Sequence, residues 1–148
     1  MAFGQQAGPP ATARQVQELL ALLRSAGHND FREVAQRRDA GEDAPTLAFD
    51  VFCHRIRKYV GAYYAVLGTV DAVVFTAGVG ENAAAMRAAS LAGLDRLGIA
   101  VDGERNERRP GEAWVISPDD NDVSVLVVPT NEEWEIARQT MSVVEGGG

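Results

Sequence analysis

The chain has 148 residues, 46% hydrophobic and 24% charged, with a formal net charge of −7. That length is one domain's worth and can hide about 70% of the surface the unfolded chain exposes. The acidic balance argues against a general nucleic-acid or membrane-surface role, since either wants a basic face, but leaves a nucleotide open, because backbone N–H groups and a metal ion hold phosphates without basic side chains.

Residues 1–13 are rich in Gly, Gln, Pro and Ala and read as a disordered lead-in. Val16, Leu19, Leu20, Leu22 and Leu23 predict a short amphipathic helix over 14–24, and residues 25–28 break it. A helix is expected over 31–39, with Asp30 and Glu33 at capping-box spacing. The clearest helix is 46–67. Phe49, Phe52, Ile56, Tyr59, Tyr63 and Val66 recur at three- and four-residue steps as one apolar stripe, and Gly68 stops it. Residues 70–76 form a continuous β-branched and apolar run, as a buried parallel strand would. A glycine turn follows over 77–80, then a helix over 82–97 that ends at Gly98. Residues 99–101 and 113–117 are expected to pair as short strands around a polar loop. Residues 123–128 read as a second buried strand, and 131–144 as the last helix, with Thr130 and Glu133 at capping-box spacing.

This order implies an α/β fold with parallel strands, right-handed crossovers and covering helices. Two long strands and a small hairpin make a thin sheet for so many helices, which suggests that neighbouring strands come from sequence outside this chain. Cys53 is the single cysteine, so no internal disulfide forms and a cytoplasmic compartment is expected. No apolar run approaches the roughly 18 residues of a membrane span.

Three places carry possible chemistry. In open α/β sheets, ligands bind beyond the carboxyl ends of strands. Thr76-Ala77-Gly78-Val79-Gly80-Glu81-Asn82 lies at such an end, and glycines let a ligand approach the backbone. On spacing alone this is either a nucleotide corner or a turn that needs Gly for its dihedrals. Pro129-Thr130-Asn131-Glu132-Glu133 stands at the end of the second strand. There Glu132 is either a ligand to a hard divalent cation shared with phosphate oxygens or a carboxylate favouring a helix start. Asn29-Asp30-Phe31-Arg32 offers an aromatic ring and a guanidinium that could flank a base, or a capped helix with Phe31 in the core. His28 and His54 lack metal-ligand company, Cys53 reads as core, and the acidic run 119–122 reads as a solvated loop.

Taken together, these segments resemble the C-terminal part of the acetate kinase (acetokinase) family. They are Asn29-Asp30-Phe31-Arg32-Glu33-Val34, residues 47–52 running into 55–63, residues 70–82, Gly93-Leu94 to Ile99, and Val125 to Glu133 with Ile136-Ala137, in family order. The resemblance covers about Asn29 to Thr140. Residues 1–24 match poorly, and 25–148 would be the later part of the family's second domain. It implies a partial ribonuclease-H-like domain, the fold of actin, sugar kinases and the Hsp70 ATPase. It also implies the reaction of ATP with acetate to give ADP and acetyl phosphate, with Mg2+. By the same resemblance Asp30, Phe31 and Arg32 border the adenine, Gly78, Val79, Gly80, Glu81 and Asn82 line the adenosine and phosphates, and Glu132 helps hold magnesium. The family's N-terminal half, which carries the acetate pocket and the groups that stabilise the transferring phosphoryl, has no counterpart here. No catalytic residue is therefore assigned, and the chain alone is expected to be inactive. Its expected partners are an N-terminal half or a second copy. The alternative reading is a non-catalytic remnant that binds nucleotide weakly at most.

Overall fold

A computed structural model describes residues 28–130 and 132–146, the side chains of 28–30, 132–134, 145 and 146 excepted. The helix expected over 14–24 and the residue Asn131 lie outside the described residues.

Helix α1 (His28–Asp39) and helix α2 (Asp43–Leu67) form an antiparallel pair joined by a tight turn. Gly41 supplies φ +83 there, and Arg37 donates from Nε and Nη2 to Oε2 of Glu42 at 3.0 and 2.8 Å. Their seam is aromatic. The Phe31 ring lies 5.8 Å from Phe49 and 5.5 Å from Phe52, and the Arg38 guanidinium sits 4.0 Å over the Phe49 ring. Such tilted contacts add a little to the larger gain from apolar burial.

Strand β1 (Ala72–Thr76) runs directly into α3 (Ala77–Asn82), and α4 (Ala84–Leu91) follows a one-residue break at Ala83. A 3-10 turn (Asp95–Leu97), helix α5 (Gly103–Glu107), strand β2 (Trp114–Val115), strand β3 (Ser124–Val128) and helix α6 (Glu132–Gly146) complete the order. The sheet order is β1-β3-β2. β1 and β3 are parallel in the register Val73↔Val125 and Phe75↔Val127, and β2 is antiparallel to β3. Val73, Phe75, Val125 and Val127 share the face turned to the core, with Val125 and Val127 fully buried.

Several expectations change here. The stripe on α2 holds only in its first half, where Ala48, Phe49 and Cys53 are buried; Tyr59, Tyr63 and Val66 are exposed, Tyr63 by 63%. Length explains this. α2 has 25 residues, about 38 Å, whereas α4 beneath it has 8, about 12 Å, so beyond that overlap the cover thins and only Val60 and Tyr64 stay partly buried against the core. β1 is covered on one face only, and Val74 on the other face is 53% exposed. The helix expected over 82–97 stops at Leu91, because Gly93 (φ +78) and Gly98 (φ +71) turn the chain. Gly98 is obligatory: a Cβ there would sit 2.8 Å from the Asp122 Cβ. Its carbonyl accepts from the Val123 N–H at 3.0 Å and from Asn121 Nδ2 at 2.7 Å, so part of the acidic loop is tied down.

The expected hairpin is also different. Residues 113–117 pair with β3, and the Ile116 N–H donates to the Val125 carbonyl at 2.7 Å. Segment 99–101 is left with one nearby ladder-like bond, Asp102 N–H to the Ile116 carbonyl at 2.7 Å. Asp102 instead caps α5 by accepting from the Arg105 N–H at 2.9 Å, which ends any extended run at that point. The expected polar loop therefore contains a short helix.

Among the described residues no helix is long and apolar enough to cross a membrane. Cys53 is 3% exposed, and burial pushes its thiol pKa up. A raised thiol pKa contributes stability that is fully present below the ordinary thiol range and is lost as pH rises through the folded value. A disulfide reagent should label Cys53 on the order of a hundredfold more slowly in the native chain than in urea; equal rates would show that the α2–α4 seam is open. The outer edge of β1 has no neighbouring strand among the described residues, so the chain should self-associate, and Val74→Lys should shift light scattering toward monomer.

Candidate nucleotide site at the two strand ends

Because β1 and β3 are adjacent and parallel, their carboxyl ends fall at one edge of the sheet, with Thr76 opposite Val128. The corner after β1 is abrupt. Thr76 is extended (φ −148, ψ 175), and Ala77 has φ +59, the sole non-glycine with positive φ among the described residues. That conformation costs an L residue about 1 kcal/mol or more. It lets α3 start with no intervening loop.

The glycine turn expected over 77–80 is thus helix, and neither Gly78 nor Gly80 has a positive φ. Position 80 packs on Phe75 at ordinary van der Waals distance, so close approach does not by itself demand glycine there. Gly80 is buried, and a Cβ would meet the Phe75 carbonyl carbon at 3.4 Å. Val79 is half-buried against the core. Asn82 turns inward, and its Nδ2 donates to the Gly78 carbonyl at 2.9 Å.

Glu81 joins the two corners. Its Oε1 accepts from the Thr130 N–H at 2.7 Å and from the Thr130 hydroxyl at 2.8 Å. Both Thr130 donors therefore go to Glu81; the side chain of Glu133 lies outside the described ones. Glu132 opens α6 two residues later. On the other flank α1 packs against α3, which brings the helix of Asp30, Phe31 and Arg32 beside the glycine corner. Arg32 is exposed, whereas Phe31 is 4% exposed and lies in the aromatic core. Phe31 thus serves packing here and offers little open ring to a ligand.

Three residues that the sequence reading did not single out, Arg87, Asn106 and Arg109, hold this region. Arg87 is 1% exposed and donates through Nη1 to the Gly80 and Glu81 carbonyls at 2.8 and 2.9 Å. Its Nε donates to Asn106 Oδ1 at 2.8 Å, and Nη2 donates to the Asn106 carbonyl. Burial pulls the Arg87 pKa below the usual guanidinium value. Asn106 in turn donates from Nδ2 to the Ala84 carbonyl at 2.9 Å. Arg109 donates to the Asn82 carbonyl at 2.8 Å. A lone Arg in an Ala-rich helix and an Asn in a polar loop carry no sequence signal of a shared role. Among the described residues no group of three or more His, Cys, Asp or Glu side chains is placed to hold a metal by itself.

The family model described as the Acetokinase family matches residues 12–138. The chain belongs to the acetate kinase family. The match begins well before Asn29, so it reaches further toward the N-terminus than the motif segments do. The chain is 58% identical to the acetate kinase of Streptomyces avermitilis over 123 residues, 83% of this chain and 30% of the relative. It is also 58% identical to that of Nitratidesulfovibrio vulgaris over 120 residues, 81% of this chain and 30% of the relative. The solved Porphyromonas gingivalis acetate kinase superposes with TM-score 0.67 at 31% identity, covering 93% of this chain and 39% of that one. A propionate kinase from Francisella tularensis gives 0.64 at 32%, covering 83% and 32%. The fold is therefore a partial ribonuclease-H-like α/β domain, and the chain spans about 30% of the length of the curated relatives it matches.

Ala77→Gly should relieve the strained corner and raise stability to urea by about 0.5–1 kcal/mol, because the gain at positive φ exceeds the entropy that glycine adds to the unfolded chain. A loss of stability would mean that the left-handed geometry at Ala77 is wrong.

Proposed function

We propose that this chain forms the nucleotide side of an acetate kinase-type phosphotransferase. The reaction joins a carboxylate oxygen of acetate to the terminal phosphorus of ATP and breaks the bond to the bridging oxygen, giving acetyl phosphate and ADP. The observation that carries the reading is the Glu81–Thr130 link. It ties the two strand ends of a ribonuclease-H-like sheet together at one edge, the place where open α/β sheets take ligands.

In this reading Gly78, Val79, Gly80, Glu81 and Asn82 line the adenosine and phosphates through backbone rather than side chain. The side chains of Glu81 and Asn82 are already engaged within the protein, which suits a wall of fixed shape. Asp30 and Arg32 border the base from α1, with Phe31 anchoring that helix from the core. Mg2+ fits a site with one protein carboxylate, because it keeps waters and shares phosphate oxygens and does not need an all-protein cage. Glu132 would hold it, and the ion would supply charge neutralisation on the phosphates.

The acetate side and the groups that steady the transferring phosphoryl belong to the remaining length of the family fold. Turnover therefore requires more polypeptide than this chain, through an N-terminal half or in an assembled dimer.

Calorimetric titration of the chain with Mg-ATP should give saturable heat, and Glu132→Ala should weaken that binding roughly tenfold or more. The chain by itself should make no acetyl phosphate. Absence of heat with the intact chain would overturn the nucleotide reading, and acetyl phosphate abolished by Glu132→Ala would overturn the dependence on further polypeptide.

A further inference from the structure

We propose that Arg87 is the positioning residue of this edge: by holding the Gly80 and Glu81 carbonyls it sets the Glu81 carboxylate against Thr130 and so fixes the spacing of the two corners. The functional consequence rests on the nucleotide reading above; the mechanical claim does not.

Arg87 is 1% exposed, and among the described residues every hydrogen bond it makes goes to a carbonyl or amide oxygen and no carboxylate forms an ion pair with it, Glu107 acting on it only through space. Filling that volume alone would favour an apolar side chain, because removing a guanidinium from water is costly. What a guanidinium supplies is a flat fork with five N–H donors, always charged.

The acceptors on α3 form a consecutive set. The Gly78 carbonyl takes Asn82 Nδ2, the Val79 carbonyl takes the Ala83 N–H, the Gly80 and Glu81 carbonyls take Arg87, and the Asn82 carbonyl takes Arg109. A helix that breaks at Ala83 leaves the Gly80, Glu81 and Asn82 carbonyls to be met from outside it, and cations suit such an end. Glu81 is the pivot, since its main chain is held by Arg87 and its carboxylate holds Thr130. Asn106 locks the fork from the far side by binding Arg87 through two oxygens and α4 through its amide nitrogen, and the Trp114 ring lies 5.9 Å from the Arg87 guanidinium carbon. The path from α5 to the start of α6 thus passes through Asn106, Arg87, Glu81 and Thr130.

The test is amide exchange by NMR on the whole chain. Arg87→Lys keeps a cation but loses the fork. It should speed exchange of the Thr130 N–H at least tenfold relative to the Val125 N–H, which is bound to Ser117 Oγ in the core at 3.1 Å. If Arg87 merely supports the fold, the two amides change by the same factor, and that result, or no change at either, overturns the proposal. Asn106→Ala leaves Arg87 in place without its lock and should give the same selective loss, so it decides the matter if Arg87→Lys does not fold. Titration with Mg-ATP is the second arm: a selective Thr130 change should come with weaker binding. A native chain that gives no heat overturns the nucleotide reading alone, while the exchange arm still decides the role of Arg87.

Discussion

The parallel pairing of β1 with β3 places everything else in this chain. Parallel neighbours carry their carboxyl ends to the same edge, and strands lie about 4.8 Å apart, so two corners distant in sequence are delivered side by side. Register then decides which residues meet. With Thr76 opposite Val128, both chains leave the sheet at the same level, and Glu81 and Thr130 come within hydrogen-bond reach one helical turn later. A slip of one residue would turn Val125 and Val127 from the core to the open face.

Around that edge, the polar groups are arranged against the usual economy of a core. Ala77 holds a strained left-handed conformation, and Arg87 is buried with no ion-pair partner among the described residues. Each feature is unfavourable by itself. Each serves the same short helix: the first lets it begin at the last residue of the strand, and the second satisfies its terminal carbonyls. Strain and buried charge at one helix of 6 residues indicate that its backbone position is held for more than packing.

Much of this was legible in the sequence, and for identifiable reasons. The helix containing Phe49 and Phe52, the strand ending at Thr76, the strand ending at Val128 and the stop at Gly68 follow from periodicity and from residues whose backbone preferences are strong. The two corners were legible because glycines and an acidic pair stand at strand ends. What escaped depends on tertiary context. Tyr59 and Tyr63 keep the helical spacing of a core stripe, yet the cover thins along that part of α2. Residues 113–117 have two possible partners, and the cap at Asp102 decides between them. Phe31 reads equally well as a stacking ring or a core ring until α2 is laid against it. Arg87 and Asn106 could not be found, because a buried guanidinium bound to carbonyls leaves no charge pattern along the chain.

The tight fit at Gly98 reaches further than its own turn. Its carbonyl takes the amide of Val123 and the amide nitrogen of Asn121, and the Asp122 Cβ leaves it no room for a side chain. The amino-terminal end of β3 is therefore clamped like a rod in a vice, while the opposite tip carries Thr130 and the first turn of α6. A rod held at its base transmits its alignment to its tip, so the level at which the acidic corner stands over the sheet is inherited from a glycine at the opposite end of the strand.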